Sequence, residues 1–238
     1  MNTITFEKKN VKMVAHRGVS GLETENTCAA FVAAGNRSYY AIETDVYITP
    51  DGKYPVFHDP TTLRLTGVDK VVSECTLEEL QSLPLFDMEE GVFRTDLKIA
   101  TMIDYIRICK RYGKKAVLEL KPQMTTEQIK GIIDAIKELD YLDEVIFISF
   151  WDNVVKVREL LPNQKLQALA RTCDEEYIQN LIKYRIDLDI YFRSVTKELV
   201  DVLHKNNLEI NCWTVDQPED AERLVELGVD YITTNILE

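Results

Sequence analysis

Short runs rich in β-branched and apolar residues alternate along the chain with stretches whose apolar positions recur every three to four residues. The first kind predicts strands at Val11–His16, Ala41–Ile48, Lys115–Leu120, Val145–Ser149, Leu166–Ala170, Leu188–Phe192, Glu209–Trp213 and Tyr231–Thr234. The second kind predicts the helices between them. Ile129, Ile132, Ile133, Ile136 and Leu139 share one helical face behind a Thr125-x-x-Gln128 capping box. Thr76-x-x-Glu79 opens a short helix over Leu77–Leu83, and Asp216 opens another with Pro218 in its first turn. Met102–Tyr112 and Lys197–Lys205 read as further helices, and one more starts near Glu25-Asn26-Thr27.

Strand alternating with helix is the pattern of βαβ units around a parallel sheet. One run breaks it: Pro55-Val56-Phe57-His58 follows the second strand after only Thr49-Pro50-Asp51-Gly52-Lys53. No parallel crossover is that short, and Pro-Asp-Gly favours a turn, so this run is expected to return antiparallel. The expected architecture is therefore an α/β (β/α)8 TIM barrel. It occupies residues 1–238 as a single domain, with an insertion over about 51–98 (hairpin plus short helix) after the second strand. An open doubly wound sheet is the competing topology, but no Gly-x-Gly-x-x-Gly follows the first strand.

Charge narrows the partners. The chain has 28 Lys and Arg against 40 Asp and Glu, a formal charge of −12. Such a surface repels nucleic acid and anionic membranes, so any anionic substrate is small and met by a locally positive site. No leader-like segment or long uncharged apolar run is visible, which predicts a cytoplasmic protein without stable membrane insertion. Cys28, Cys75, Cys109, Cys173 and Cys212 are scattered without a Cys-x-x-Cys pair and read as small buried apolar residues.

Catalytic groups of a barrel gather where its strands end. The first strand ends in His16-Arg17-Gly18; the second carries Glu43 and Asp45 on one face; the return ends in His58-Asp59; the third barrel strand carries Glu119 and leads to Lys121. Any one of these is unremarkable, since a strand-end His is often scaffolding and Arg17 or Lys121 could simply pair with the acids. Their joint occurrence is different. Three converging carboxylates repel one another without a cation, and hard oxygen donors suit Mg2+ or Ca2+. Two histidines can supply a base and an acid in one turnover, and Gly18 and Gly21 permit backbone N–H groups to approach an anion.

This constellation resembles the glycerophosphodiester phosphodiesterase family. The matching segments are His16-Arg17-Gly18, Glu25-Asn26-Thr27, Ile42-Glu43-Thr44-Asp45-Val46, Thr49-x-Asp51-Gly52 and Val56-Phe57-His58-Asp59. Leu63-x-Leu65-Thr66-Gly67, Leu118-Glu119-Leu120-Lys121, Ser149-Phe150 and Cys212-Trp213-Thr214-Val215 complete the set. The resemblance implies metal-dependent hydrolysis of a small-molecule glycerophosphodiester to glycerol 3-phosphate and an alcohol. It implies one divalent cation, Mg2+ or Ca2+, on Glu43, Asp45 and Glu119; His16 and His58 as the acid–base pair; phosphate held by Arg17 and Lys121; and Trp213 beside the glycerol. Two other readings stand beside it: a Schiff-base aldolase using Lys121, and a non-catalytic barrel binding a phosphorylated metabolite.

The chain departs from the family at Thr24 and Ala100, where prolines are usual, and at Asn235, where the last strand usually ends in Thr-Asp. Phe150, Trp151 and Phe192 either rim the pocket or pack. His204 reads as a surface residue, and Glu89-Glu90 and Asp174-Glu175-Glu176 as solvated loop and helix-start charge.

Overall fold

The computed structural model describes residues 2–88 and 92–238; Glu89 and Glu90 lie outside the described residues. In chain order the strands are β1 (Lys12–Ala15), β2 (Ala41–Val46), β3 (Leu85–Phe86), β4 (Phe93–Arg94), β5 (Lys115–Leu120), β6 (Val145–Ser149), β7 (Leu166–Ala170), β8 (Asp187–Tyr191), β9 (Ile210–Trp213) and β10 (Tyr231–Thr234). The helices are α1 (Cys28–Gly35), α2 (Leu63–Thr66), α3 (Leu77–Gln81), α4 (Met102–Tyr112), α5 (Thr126–Lys137), α6 (Trp151–Leu160), α7 (Glu175–Tyr184), α8 (Lys197–Lys205) and α9 (Pro218–Leu227). Eight parallel strands close in the order β1-β10-β9-β8-β7-β6-β5-β2, the TIM barrel the alternation predicts.

Side-chain chemistry sets the helix starts. Thr76, Thr101 and Thr125 each accept from the backbone N–H three residues on, and Glu79, Asp104 and Gln128 reach back to complete capping boxes. Asp174 caps α7 through the Tyr177 N–H at 2.8 Å, in keeping with helix-start charge. Asp216 does not cap: Gln217 precedes Pro218 at the start of α9, and the Asp216 carboxylate is turned toward the end of β10. The α1 helix begins at Cys28, with Thr27 rather than Glu25 as its cap.

Strand ends differ from expectation where the chain must turn. β1 stops at Ala15, and Arg17 adopts φ 54°. β8 is shifted by one residue because Phe192 enters a 3-10 turn. β2 ends at Val46, after which Tyr47 and Ile48 leave the barrel to meet the returning run. That return is antiparallel, as the turn chemistry requires, but consists of single bridges, Val46 to Val56 and Pro55 to Thr101. Tyr47 N donates to Pro55 O and Phe57 N to Asp45 O, both at 3.0 Å. Pro55 has no N–H of its own to give, which keeps the pairing short.

The β2-to-α4 crossover also contains the β3–β4 ribbon, which the sequence pattern does not reveal. Its own small core, including Tyr47, Phe57, Leu80, Leu85 and Ile99, fixes the segment that delivers His58 to the barrel mouth. Beneath it the Tyr105 hydroxyl lies 2.7 Å from Ile42 O and 3.0 Å from Val117 O, tying α4 to β2 and β5. Cys75, Cys109 and Cys212 are buried as expected, whereas Cys28 is exposed and Cys173 half-buried. No helix among the described residues is long and apolar enough to cross a membrane.

Candidate active site

Parallel register places the charged residues. Asp45 pairs with Glu119 across β2 and β5, and Ala15 with Thr234 across β1 and β10. Carboxylate oxygens of Glu43, Asp45 and Glu119 consequently lie within 4.8 Å of one another at the barrel mouth. Lys121 Nζ sits 2.9 Å from Asp45 and 3.3 Å from Glu119. Both peptide bonds Lys121–Pro122 and Trp213–Thr214 are cis.

The turn after β1 is held from both sides. Arg17 N donates to Glu43 Oε2 at 2.9 Å, Gly18 N to Glu43 O at 3.1 Å, and Arg17 O accepts from Asn26 N at 2.9 Å. These bonds sustain a left-handed backbone that an arginine otherwise disfavours. Gly18 is required next to it: at φ 78°, an added Cβ would stand 2.6 Å from the Ala30 Cβ. The Arg17 guanidinium meets Glu25 at 2.8 Å and Asp45 at 3.7 Å, and its Nε is a buried donor without a partner.

The three carboxylates differ in how their charge is met. Burial, reinforced by Asp45 and Glu119, pushes Glu43 well above the usual carboxylate range. Burial and the neighbouring Asp45 push Glu119 up to about 8. Burial opposes charge on Asp45 too, but Lys121 and Arg17 overcome it and hold this carboxyl well below the usual range. Asn26 adds to that by donating its Nδ2 to Asp45 Oδ2 at 2.9 Å, while its own Oδ1 accepts from Thr44 at 2.7 Å. Three hard oxygen donors gathered this closely could hold a metal ion.

Lys121 is itself buried, which disfavours its charge, yet Asp45 and Glu119 raise its proton affinity above the ordinary value. An ammonium paired with Asp45 is a poor nucleophile, which speaks against the aldolase reading.

Each histidine has a distinct Nδ1 partner. His16 Nδ1 is 2.7 Å from Asn235 Oδ1; burial and then Arg17 bring this imidazole down to about 4. His58 Nδ1 is 2.7 Å from Asp59 Oδ1, and burial lowers its proton affinity despite the nearby Asp45. Arg64 braces the same edge, donating to Asp59 at 2.6 Å and to both oxygens of Glu25 at 2.8 and 2.9 Å. Glu25, Asn26, Asp59, Arg64 and Asp216 are absent from the residues singled out by chemistry in the sequence. The Glu25-Asn26-Thr27 and His58-Asp59 segments were the available signals; Arg64 and Asp216 carried none.

A cavity of about 660 Å3 opens from His58, Glu119 and Lys121 toward Phe150, Trp151 and Tyr177. Phe150 is 68% exposed, and Trp151 leans on Tyr177 with ring centroids 5.4 Å apart. Phe192 is buried instead, packed against Tyr191, and forms no part of a rim. Trp213 stands at the end of β9, its Nε1 donating to Asp189 O at 3.3 Å, and does not line this cavity. His204 is on the surface of α8, 2.9 Å from Asp230.

A profile of the glycerophosphoryl diester phosphodiesterase family matches residues 16–238. A Caldanaerobacter subterraneus subsp. tengcongensis protein named glycerophosphodiester phosphodiesterase is 31% identical over 228 residues, covering 94% of this chain and 93% of that one. A Bacillus altitudinis protein of the same name is 28% identical over 235 residues, covering 94% of both chains. Among solved structures, a glycerophosphodiester phosphodiesterase from Thermotoga maritima aligns at 26% identity with a TM-score of 0.75, covering 94% of both chains. An Oleispira antarctica phosphodiesterase, solved with the product sn-glycerol-3-phosphate, shares the fold at a TM-score of 0.85 and 24% identity, covering 98% of this chain and 96% of that one.

Proposed function

The chain belongs to the glycerophosphoryl diester phosphodiesterase family, and on that premise we propose that it hydrolyses glycerophosphodiesters to glycerol 3-phosphate and an alcohol by metal-dependent His16/His58 acid–base catalysis. The observation that carries the mechanism is the convergence of Glu43, Asp45 and Glu119 within 4.8 Å. These residues would hold one Mg2+ or Ca2+, and the donor set fits: three hard oxygen ligands, two of them driven toward protonation when no dication faces them. When bound, the ion offsets negative charge on the phosphodiester during transfer.

The protein's own groups account for the rest. The unpartnered Arg17 Nε and the Lys121 ammonium offer donors to phosphate oxygens, and both stay charged because Asp45 lies between them. One imidazole takes the proton of the attacking hydroxyl, the glycerol 2-hydroxyl or a water, as the new P–O bond forms; after attack by the 2-hydroxyl, water opens the cyclic phosphate to glycerol 3-phosphate. The other returns a proton to the leaving alkoxide as the old P–O bond breaks. Both can do so through Nε2 because Nδ1 of each is engaged behind the ring. Trp213 is assigned to the glycerol side and the 660 Å3 cavity to the remainder of the substrate. The Oleispira protein's product complex supports glycerol 3-phosphate as the product of this fold. A small diester suits a chain of charge −12 that sets Arg17 and Lys121 at the mouth.

The test is release of glycerol 3-phosphate from glycerophosphocholine, -ethanolamine, -glycerol and -inositol. EDTA is expected to abolish it and excess Mg2+ or Ca2+ to restore it. Activity untouched by the chelator refutes the metal-dependent mechanism.

A further inference from the structure

The last strand ends in Thr234-Asn235, and the amide that replaces the family's usual carboxylate is tied into a network with one possible proton arrangement. Asp216 lies behind it. Its Oδ1 accepts the Asn235 backbone N–H at 2.8 Å and the Thr234 hydroxyl at 3.1 Å, and its Oδ2 lies 2.7 Å from Asn235 Nδ2. A carboxylate only accepts, so the amide NH2 must face Asp216 and the amide oxygen must face His16. The Ser20 hydroxyl donates to that same oxygen at 2.6 Å, which agrees with the orientation. An amide oxygen cannot donate. The proton in its 2.7 Å contact with His16 therefore belongs to the imidazole Nδ1, and Nε2 of the neutral ring keeps its lone pair.

His58 differs in one respect. Its Nδ1 also faces an acceptor, but that acceptor is the Asp59 carboxylate, which stabilises an imidazolium where an amide oxygen does so weakly.

We propose that Asn235 and Asp216 act together as positioning residues that lock His16 in the Nδ1–H tautomer, making His16 the base of the reaction and leaving His58 as its acid. With Asn235 where the family usually has an aspartate, the nearest carboxylate is that of Asp216, which orients the ring through the amide instead of pairing with it. The assignment of base and acid rests on the phosphodiesterase reading; the tautomer does not.

Long-range 1H–15N correlation spectra of histidine-labelled protein read the tautomer directly, with His58→Gln and His204→Gln variants assigning the three histidine rings. Wild type is expected to show His16 protonated at Nδ1 and bare at Nε2. Asn235→Leu is expected to release the ring to the Nε2–H form favoured in water, and to lower kcat about 100-fold while KM moves by less than about 3-fold. Asn235→Asp alone sets two carboxylates against each other, and is expected to be impaired. Combining it with Asp216→Asn restores one acceptor and one amide, and is expected to return Nδ1–H and most of kcat. Nε2–H in an active wild type, or Asn235→Leu with unchanged tautomer and kcat, overturns the proposal. Failure of the double swap to rescue overturns the coupling between the two residues. A wild type with the expected tautomer that hydrolyses no glycerophosphodiester sinks the base assignment together with the functional reading.

Discussion

Glu119→Gln is expected to make the metal-free protein more stable while destroying its response to metal. Burial and Asp45 raise the Glu119 carboxyl from an ordinary 4.5 to about 8, so in EDTA at pH 7 the folded state takes up a proton that the unfolded state has lost. Forcing that uptake over the 2.5 pH units between 4.5 and 7 costs about 3 kcal/mol. Glutamine resembles the protonated acid and avoids the cost. Because the folded-state acid is already neutral at pH 7, no charged contact to Lys121 is lost, and the net gain is about 3 kcal/mol. For a chain of this size that is roughly 6–12 °C in Tm.

The pH sign follows from the same shift. The folded state binds more protons, so metal-free wild type loses stability as pH rises from 4.5 toward 8 and levels off above. The variant lacks the share of that slope due to Glu119 and keeps the share due to Glu43. Urea unfolding followed by circular dichroism in EDTA, at several pH values, measures both, with m unchanged between the proteins. Adding Mg2+ or Ca2+ to about 1,000 times its Kd stabilises wild type by about 4 kcal/mol and inverts the order. A variant less stable than wild type in EDTA, or one stabilised equally by metal, would refute the reasoning.

Three further outcomes are expected. Lys121→Met removes the ammonium 2.9 Å from Asp45 and should lower kcat/KM by about 100-fold or more, while borohydride traps no substrate on the wild-type lysine. Gly35→Ala places a Cβ 2.6 Å from the Tyr112 ring, and calorimetry should show a loss of about 1–3 kcal/mol with kcat unchanged in the folded fraction. Glu209→Gln loses the links to Lys12 at 2.8 Å and to Lys165. Those neighbours hold this half-buried carboxyl near 2, so its contribution of about 1 kcal/mol, discounted for solvent screening, should be present at pH 7 and vanish as pH falls from 4.5 to 2. Equal wild-type and variant stability at pH 7 would contradict it.

The barrel was legible because its strands are short runs rich in apolar and β-branched residues that alternate with helical-period segments. Lys115–Leu120, Val145–Ser149, Leu166–Ala170 and Tyr231–Thr234 read from sequence coincide with the observed strands. Two-residue strands leave no such period: β3 and β4 depend on Phe86 and Phe93 stacking 4.5 Å apart across the ribbon, a contact no local pattern announces. In the site, residues close in sequence to a strand end could be placed from strand geometry. Arg64 could not, because it reaches Glu25 across 39 positions on a helix of four residues. Asp216 was misread as a helix cap since Asp ahead of Pro is a capping pattern. Only the closure of β10 beside β9 shows that its carboxylate has a tertiary partner in Asn235.

The charged groups at the mouth come from β1, β2, β5 and the returning run, whereas the far wall of the cavity is built by Phe150, Trp151 and Tyr177, after β6 and β7. The groups proposed for bond-breaking and the aromatics proposed for substrate fit therefore occupy adjoining arcs of one rim. A combinatorial library confined to those three aromatic positions can sample new leaving alcohols without altering a residue assigned to metal, phosphate or proton. Inheritance works under the same freedom: duplicated copies of such a gene can diverge in diet while keeping their reaction.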